Sequence, residues 1–246
     1  MILRQFLHSD PVGISYLLGC VGKATGVVVD PVAQPRTYLE TAAAAGIKID
    51  YVIDTHVHAD HLSTGQALAD AAGADYVLSA NADVVLPFKG VRDGDEIRVG
   101  NVVIKVLATP GHTPEHISLL VTDRTRADEP WLALTGHTLM IGDLGRTELV
   151  ESAEAGARTL FRSIQTLKSL PDYVQLLPGA FAGSVCGRGL SANPLSTIGF
   201  EKRHNAAFGI NDEAAFVRFM LSDVPPAPPE AARLRAINSG RNPEEV

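Results

Sequence analysis

In the run His56-Val57-His58-Ala59-Asp60-His61, three imidazoles and a carboxylate fall within six residues. Neutral imidazole is the commonest metal-binding side chain, and burial alone excludes so many polar groups unless each is satisfied. The run follows the apolar Tyr51-Val52-Ile53, so it stands at the carboxyl end of a strand, where α/β folds place chemistry. The same layout recurs twice: an apolar run from Val102 to Leu107 leads into Thr109-Pro110-Gly111-His112, and Trp131-Leu132-Ala133-Leu134 leads into Thr135-Gly136-His137. A mononuclear catalytic metal takes about three protein ligands and leaves positions open for water or substrate. His56, His58, His112 and His137 meet that need. Any one histidine taken alone is more often an ordinary surface or hydrogen-bonded core residue, and it is the joint spacing His-x-His-x-Asp-His that favours a metal. Asp60 and His61 are either ligands of a second metal or outer partners that orient ligands and carry protons. His8, His116 and His204 lack such support and read as ordinary histidines.

The elements that must position these side chains follow from pattern. Residues 14–19 and the β-branched run 26–30 read as two hairpin-like strands. Alanine-rich residues 36–46 read as a helix ending at Gly46, and residues 47–54 as the strand before the histidine run. A helix is expected over 63–72, followed by strands over 75–79, 95–99, 102–107, 117–122 and 131–136. Ala157, Leu160, Phe161, Ile164 and Leu167 recur at helical spacing within a helix over 153–170. A strand over 173–178 and a helix over 205–221 follow. The order of strand, helix and strand argues for layered α/β architecture. A single domain over 1–222 is expected, followed by a Pro-rich C-terminal tail over 223–246, with a stiff spacer at 225–229, a short helix-compatible stretch at 230–237 and frayed last residues.

Composition removes several classes of function. Hydrophobic residues make up 46% of the 246, ample for one core. The formal charge is −7 with scattered Lys and Arg, which excludes the basic face of a nucleic-acid binder. Cys20 and Cys186 are too few for a disulfide framework or a four-cysteine zinc site, and suit a reducing cytoplasm. No apolar run approaches the roughly 18 to 20 residues that cross a bilayer, and no leader pattern opens the chain, so a soluble cytoplasmic protein is expected.

Thr55-His56-Val57-His58-Ala59-Asp60-His61, Thr109-Pro110-Gly111-His112 and Thr135-Gly136-His137 resemble three successive motifs of the metallo-β-lactamase superfamily. That resemblance implies an αββα sandwich, two mixed β-sheets packed face to face with helices outside. Gly142-Asp143-Leu144-Gly145-Arg146-Thr147-Glu148-Leu149 and Gly183-Ser184-Val185-Cys186-Gly187 resemble its persulfide dioxygenase and glyoxalase II branch, with the likeness running from about residue 2 to 220.

The chain departs from the family pattern in two places. His137 stands where the family usually has the aspartate of Thr-Gly-Asp, and Pro178-Gly179-Ala180-Phe181 stands where it usually delivers a late histidine. A dinuclear site would lose its bridging carboxylate and a terminal ligand, since alanine cannot bind a metal and imidazole bridges poorly. A mononuclear site survives. The resemblance implies one non-haem Fe(II) per chain held by His56, His112 and His137. Neutral imidazole ligands leave Fe(II) more net positive charge for a persulfide anion. The implied activity is a persulfide dioxygenase that turns a low-molecular-weight persulfide, such as glutathione persulfide, and dioxygen into sulfite and thiol in sulfide detoxification.

Arg146 suits the carboxylate of such a substrate, because guanidinium pairs bidentately, or else forms a structural ion pair. Asp143 is expected to hydrogen-bond a ligand histidine or cap a turn. Cys186 and Arg188 lie on a loop that the resemblance puts near the metal as substrate contacts, with a buried inert thiol as the other reading of Cys186. Zn(II) suits the same imidazoles, and a zinc-dependent thioester or lactone hydrolase is the alternative. A third reading is a sulfur-handling module partnering a rhodanese-type sulfurtransferase. A homodimer is the expected assembly.

Overall fold

Strands β3 (Thr25–Val29) and β4 (Lys48–Ile53) end in the apolar runs Val27-Val28-Val29 and Tyr51-Val52-Ile53, and their neighbours explain why both faces need to be apolar there. Val27, Val29 and Ile53 point into a core shared with a second sheet, while Val28 and Val52 point outward onto helices. Parallel strands buried on both faces read as unbroken β-branched runs for this reason. The computed structural model describes residues 1–150, 152–222, 224 and 226–245. Pro225, the start of the expected proline spacer, lies outside the described residues.

The first sheet has the order β1-β2-β3-β4-β5-β6, with β1 (Ile2–Ser9), β2 (Val12–Cys20), β5 (Asp75–Ser79) and β6 (Lys89–Val91) completing it. Strands β1 to β3 pair antiparallel and β3 to β6 parallel. Helices α1 (Pro35–Ala44) and α2 (Gly65–Ala72) make the parallel crossovers and bury Tyr38 and Leu68 on its outer face. The second sheet has the order β12-β11-β10-β9-β8-β7. It comprises β7 (Glu96–Val99), β8 (Val102–Ala108), β9 (Ile117–Asp123), β10 (Leu132–Gly136), β11 (Gln175–Pro178) and β12 (Ser196–Thr197), parallel only between β10 and β11. Helices α3 (Ala153–Lys168), α4 (Ile198–His204), α5 (Ala206–Gly209) and α6 (Glu213–Leu221) belong to its outer layer, where Leu160, Ile164, Leu167, Phe208 and Phe216 are buried. The result is helix, sheet, sheet, helix, as the resemblance implied.

At the end where the histidine loops emerge, Ile14 N–H donates to Gly179 C=O at 2.8 Å and Tyr16 Oη to Pro178 C=O at 2.6 Å, tying β2 to the end of β11. The single helix expected over 205–221 is two, because Asn205 and Asp212 each cap a new N-terminus by accepting from the backbone N–H three residues on. Strand β6 was not expected; its three residues carry one buried side chain, too little pattern to read. Described residues beyond the spacer are tied to the domain. Helix α7 (Ala231–Asn238) lies against the first sheet's loops, Ser239 C=O accepts from Val85 N–H, and Arg241 pairs with Asp83. Its contacts are polar and distant in sequence, so no periodicity announces them. Among the described residues no helix is long and apolar enough to cross a membrane.

The loop carrying His112 is held by a close approach. Gly111 has φ +134°, and a Cβ there would lie 2.5 Å from the Leu160 backbone of α3. Gly111→Ala should therefore displace the loop from the helix and destabilise the fold by at least about 1–3 kcal/mol, the usual cost of a strained backbone residue. Urea denaturation of the variant checks this, and an unchanged midpoint would refute the tight packing.

Candidate metal centre

His56, His112 and His137 come from three separate strand ends, after β4, β8 and β10, and their donor atoms lie within 4.8 Å of one another. All three rings are buried. Outer contacts decide which nitrogen each ring presents. Thr55 Oγ1 donates to Asp30 Oδ2 at 3.0 Å and so accepts from Nδ1 of His56 at 3.0 Å, leaving the His56 lone pair on Nε2. Nδ1 of His112 bonds the Arg146 C=O at 2.8 Å, which likewise leaves Nε2 of His112 as the acceptor. Nε2 of His56 and both ring nitrogens of His137 are buried without a hydrogen-bond partner among the described residues. A buried polar group left unpaired costs about 1–3 kcal/mol. One such nitrogen from each of His56 and His137, brought together with Nε2 of His112, suits a cation that accepts lone pairs, and the donor set fits iron or zinc.

The loop after β4 owes its shape to two aspartates. Asp30 follows β3 with φ +48°, a left-handed turn that directs its carboxylate across to the Thr55 N–H at 2.7 Å. Asp54 accepts from Ser63 Oγ at 2.6 Å and Tyr76 Oη at 2.8 Å, and burial raises its pKa. His58 turns away from the three-histidine group: its Nε2 meets Asp30 Oδ1 at 3.3 Å. Its ring groups instead with Asp60 and His61, whose free atoms are Asp60 Oδ2 and His61 Nε2. Nδ1 of His61 bonds Asp60 Oδ1 at 3.0 Å, and Asp60 Oδ2 lies 3.9 Å from His137 Nε2. Burial pushes the Asp60 carboxyl up, but His61 and His137 overcome it and hold it well below the usual range.

His116, read from sequence as an ordinary histidine, is part of the scaffold of this group. Its Nε2 accepts from the His137 N–H at 3.1 Å, and its ring stacks on His56 with centroids 4.9 Å apart. Gly136 has φ +48°, and a Cβ there would lie 2.5 Å from Thr55 Oγ1 and 2.6 Å from His116 Nε2, so only glycine lets β10 end here. The spacing of His116 four residues after His112 was the available signal. Asp30 and Glu115, likewise unsingled in the sequence, had none beyond their positions beside the motifs.

Arg146 takes the structural ion pair that the sequence also allowed, and Asp143 and Arg188 pair with each other. The Arg146 guanidinium engages Glu148, Val185 C=O at 3.1 Å and Pro226 C=O at 3.2 Å, so it ties loops together, and its carbonyl is what reaches His112. Asp143 does not bond a histidine; it accepts from the Arg188 N–H at 2.7 Å and pairs with its guanidinium at 3.2 Å. Arg188 accordingly points back to Asp143, to the Phe219 and Ser222 carbonyls, and across the Phe219 ring. Guanidinium on a loop rich in free carbonyls finds those acceptors first. Cys186 does lie beside the centre, with its thiol grouped with Asp60 and His137, and burial followed by the Asp60 charge pushes it well up. Ala180, at the late position, is buried among Met140, Cys186 and Leu190. A cavity of about 200 Å³ lined by Pro11, Val12, Gly183, Ser184 and Val185 reaches the group at Asp60.

A family model described as the metallo-beta-lactamase superfamily matches residues 12–179. Human mitochondrial persulfide dioxygenase ETHE1 is 30% identical over 215 residues, covering 82% of this chain and 78% of that protein. A crystal structure of a metallo-beta-lactamase from Staphylococcus aureus aligns with a TM-score of 0.93 at 38% identity, over 98% of this chain and 73% of that one. ETHE1 from Myxococcus xanthus aligns with a TM-score of 0.84 at 31% identity, over 98% and 100%.

Burial drives the pKa of His112 down to about 3 and that of His137 to about 4, and pushes His56 and His116 well below 6.5. In the unfolded chain these imidazoles take protons near 6.5, so between that value and about 4 the unfolded state binds more protons and stability falls as pH falls. His58 opposes this: burial lowers it, but Asp30 and Asp60 raise it well above 6.5, so its contribution is present below that pH and lost as pH rises. Four lowered groups outweigh one. Metal-free protein should unfold at lower urea at about pH 5 than at about pH 7.5, by a few kcal/mol; an equal or higher midpoint at the acid pH would refute the neutral, buried imidazoles.

Proposed function

Because the chain belongs to the metallo-beta-lactamase superfamily, we propose that it is a mononuclear non-haem iron persulfide dioxygenase. The observation that carries this reading is the convergence of His56, His112 and His137, with unpartnered buried nitrogens on His56 and His137 and an alanine at position 180. The ETHE1 relatives in human and Myxococcus xanthus support the choice of reaction. The overall change is RSSH + O₂ + H₂O → RSH + H₂SO₃, in which the outer sulfur loses four electrons and dioxygen gains them. Iron supplies the redox chemistry and holds both reactants within reach of each other.

The chain's own residues bind and orient. Thr55 and the Arg146 carbonyl fix the tautomers of His56 and His112, so both offer Nε2 without rearrangement. The His116 acceptor fixes the backbone from which His137 projects. The persulfide enters by the cavity between the Pro11-Val12 turn and the Gly183–Val185 loop, whose small side chains and backbone suit a slim sulfur chain. Asp60 is the one residue of the histidine group that lines this cavity. Its Oδ2, without a hydrogen-bond partner among the described residues, faces that path as an acceptor, while His61 stays on Oδ1. Hydrolysis through a hydroxide shared by two metals is harder to build, since a second cation at His58, Asp60 and His61 finds Ala180 where a further ligand would stand.

Protein purified without oxygen should carry one iron per chain and consume dioxygen on glutathione persulfide. His137→Ala should lower iron occupancy and oxygen uptake together by at least about tenfold, the lower bound for disturbing even an outer partner of a ligand. Two zinc ions per chain with thioester cleavage and no oxygen uptake would overturn the assignment, and full iron occupancy in His137→Ala would remove His137 from the ligand set.

A further inference from the structure

Helix α7 has no part in the chemistry above, yet its polar side chains reach the loop that carries His56, His58 and His61. Arg235 Nη1 donates to the Val57 C=O at 2.7 Å, and its Nη2 pairs with Glu115 Oε2 at 3.1 Å. Glu115 Oε1 in turn accepts from the Val57 N–H at 2.9 Å. Both backbone groups of Val57, the residue between His56 and His58, are thus held by one ion pair. Glu115 is three residues after His112, so the same pair staples the His56 loop to the His112 loop. Asn238 takes the rest: its Nδ2 donates to His58 C=O at 2.9 Å and His61 C=O at 2.8 Å, and its Oδ1 accepts from Ser63 N–H at 3.0 Å.

The attachment is aimed at this loop more than at burying the helix. Of the eight residues of α7 only Ala231 and Ala236 are buried, and two alanines contribute little apolar area. The Glu115 side chain is 3% exposed, so its carboxylate depends on Arg235 and Val57 for partners. A loop with no ladder or helix of its own must satisfy its backbone somewhere, and here α7 satisfies four of its groups.

Resting on the metal-binding reading, we propose that α7 positions the metal centre, with Arg235 and Asn238 holding residues 57–63 so that His56 converges with His112 and His137. Neither side chain touches the metal; both act through the backbone of the histidine loop.

Cobalt(II) is the probe, read by its affinity in competition with a chelator and by its visible d–d spectrum. Arg235→Met and Asn238→Ala should each weaken cobalt binding by about ten- to hundredfold, as outer-partner changes do, and alter the spectrum, with Arg235→Lys between them and wild type. Arg241→Ala, which removes only the pair with Asp83 beyond the end of the same helix, should lower the melting temperature and leave affinity and spectrum unchanged. Cobalt affinity within about twofold of wild type and an unchanged spectrum in both Arg235→Met and Asn238→Ala, at whatever melting temperature, would overturn the proposal alone, since an outer partner is worth more than that. Cobalt binding that survives His56→Ala intact would overturn the metal reading and this proposal with it.

Discussion

Several imidazoles are held neutral in a dry interior with nitrogens that nothing among the described residues satisfies, and the rest of the structure is arranged around that constraint. His56 and His137 together leave three buried ring nitrogens without partners, each an unfavourable term of about 1–3 kcal/mol. The two sheets supply the compensating core: Val27, Val29 and Ile53 on one side and Ile104, Leu119 and Leu134 on the other make the strand ends rigid enough to keep such groups together. Without that rigidity the histidines would rotate to water or to one another's nitrogens. A metal would satisfy Nε2 of His56 and one ring nitrogen of His137 at once, which is why their convergence argues for one.

Rigidity alone does not choose a nitrogen. Each ring of the centre is set by a contact that belongs to a different element: Thr55 on its own loop, the Arg146 carbonyl from the turn after β10, and the His116 acceptor beneath His137. Those partners are themselves fixed: Thr55 by Asp30 after β3, His116 by the hydroxyls of Thr109 and Thr138, and Arg146 by its N–H donating to the Cys186 C=O. The charged residues near the centre thus chiefly hold loops in register. This explains why the guanidinium groups of Arg146 and Arg188 have carbonyls and carboxylates of the chain as neighbours.

The layered fold and the three histidine-bearing strand ends were legible from sequence because each strand carries an apolar run that stops at a motif. The split between α5 and α6 was less legible, since Asn205 and Asp212 are common residues whose capping role appears only with the backbone geometry. His58 and His116 show the limit most directly. Spacing placed His58 with the ligands and left His116 aside, whereas the fold turns His58 toward Asp30 and sets His116 against His56. Side-chain direction at a loop depends on contacts 25 or more residues away, such as Asp30 with Thr55, and no local pattern encodes them. The bonds from Arg235 and Asn238 span 175 to 180 residues to reach the histidine loop and are invisible for the same reason.

The exchange at position 137 then acquires a physical sense. In the proposed centre a neutral imidazole stands where relatives of the resembling pattern place a carboxylate, so the negative charge is absent from that ligand. A carboxylate does stand beside that ring: Asp60 Oδ2 lies 3.9 Å from His137 Nε2. A neutral third ligand would leave the cation with more net positive charge for an anionic sulfur ligand, while Asp60 lines the cavity beside its path. The small apolar packing of Ala180 with Met140, Cys186 and Leu190 fills the place from which a further ligand would come, and so favours one metal over two.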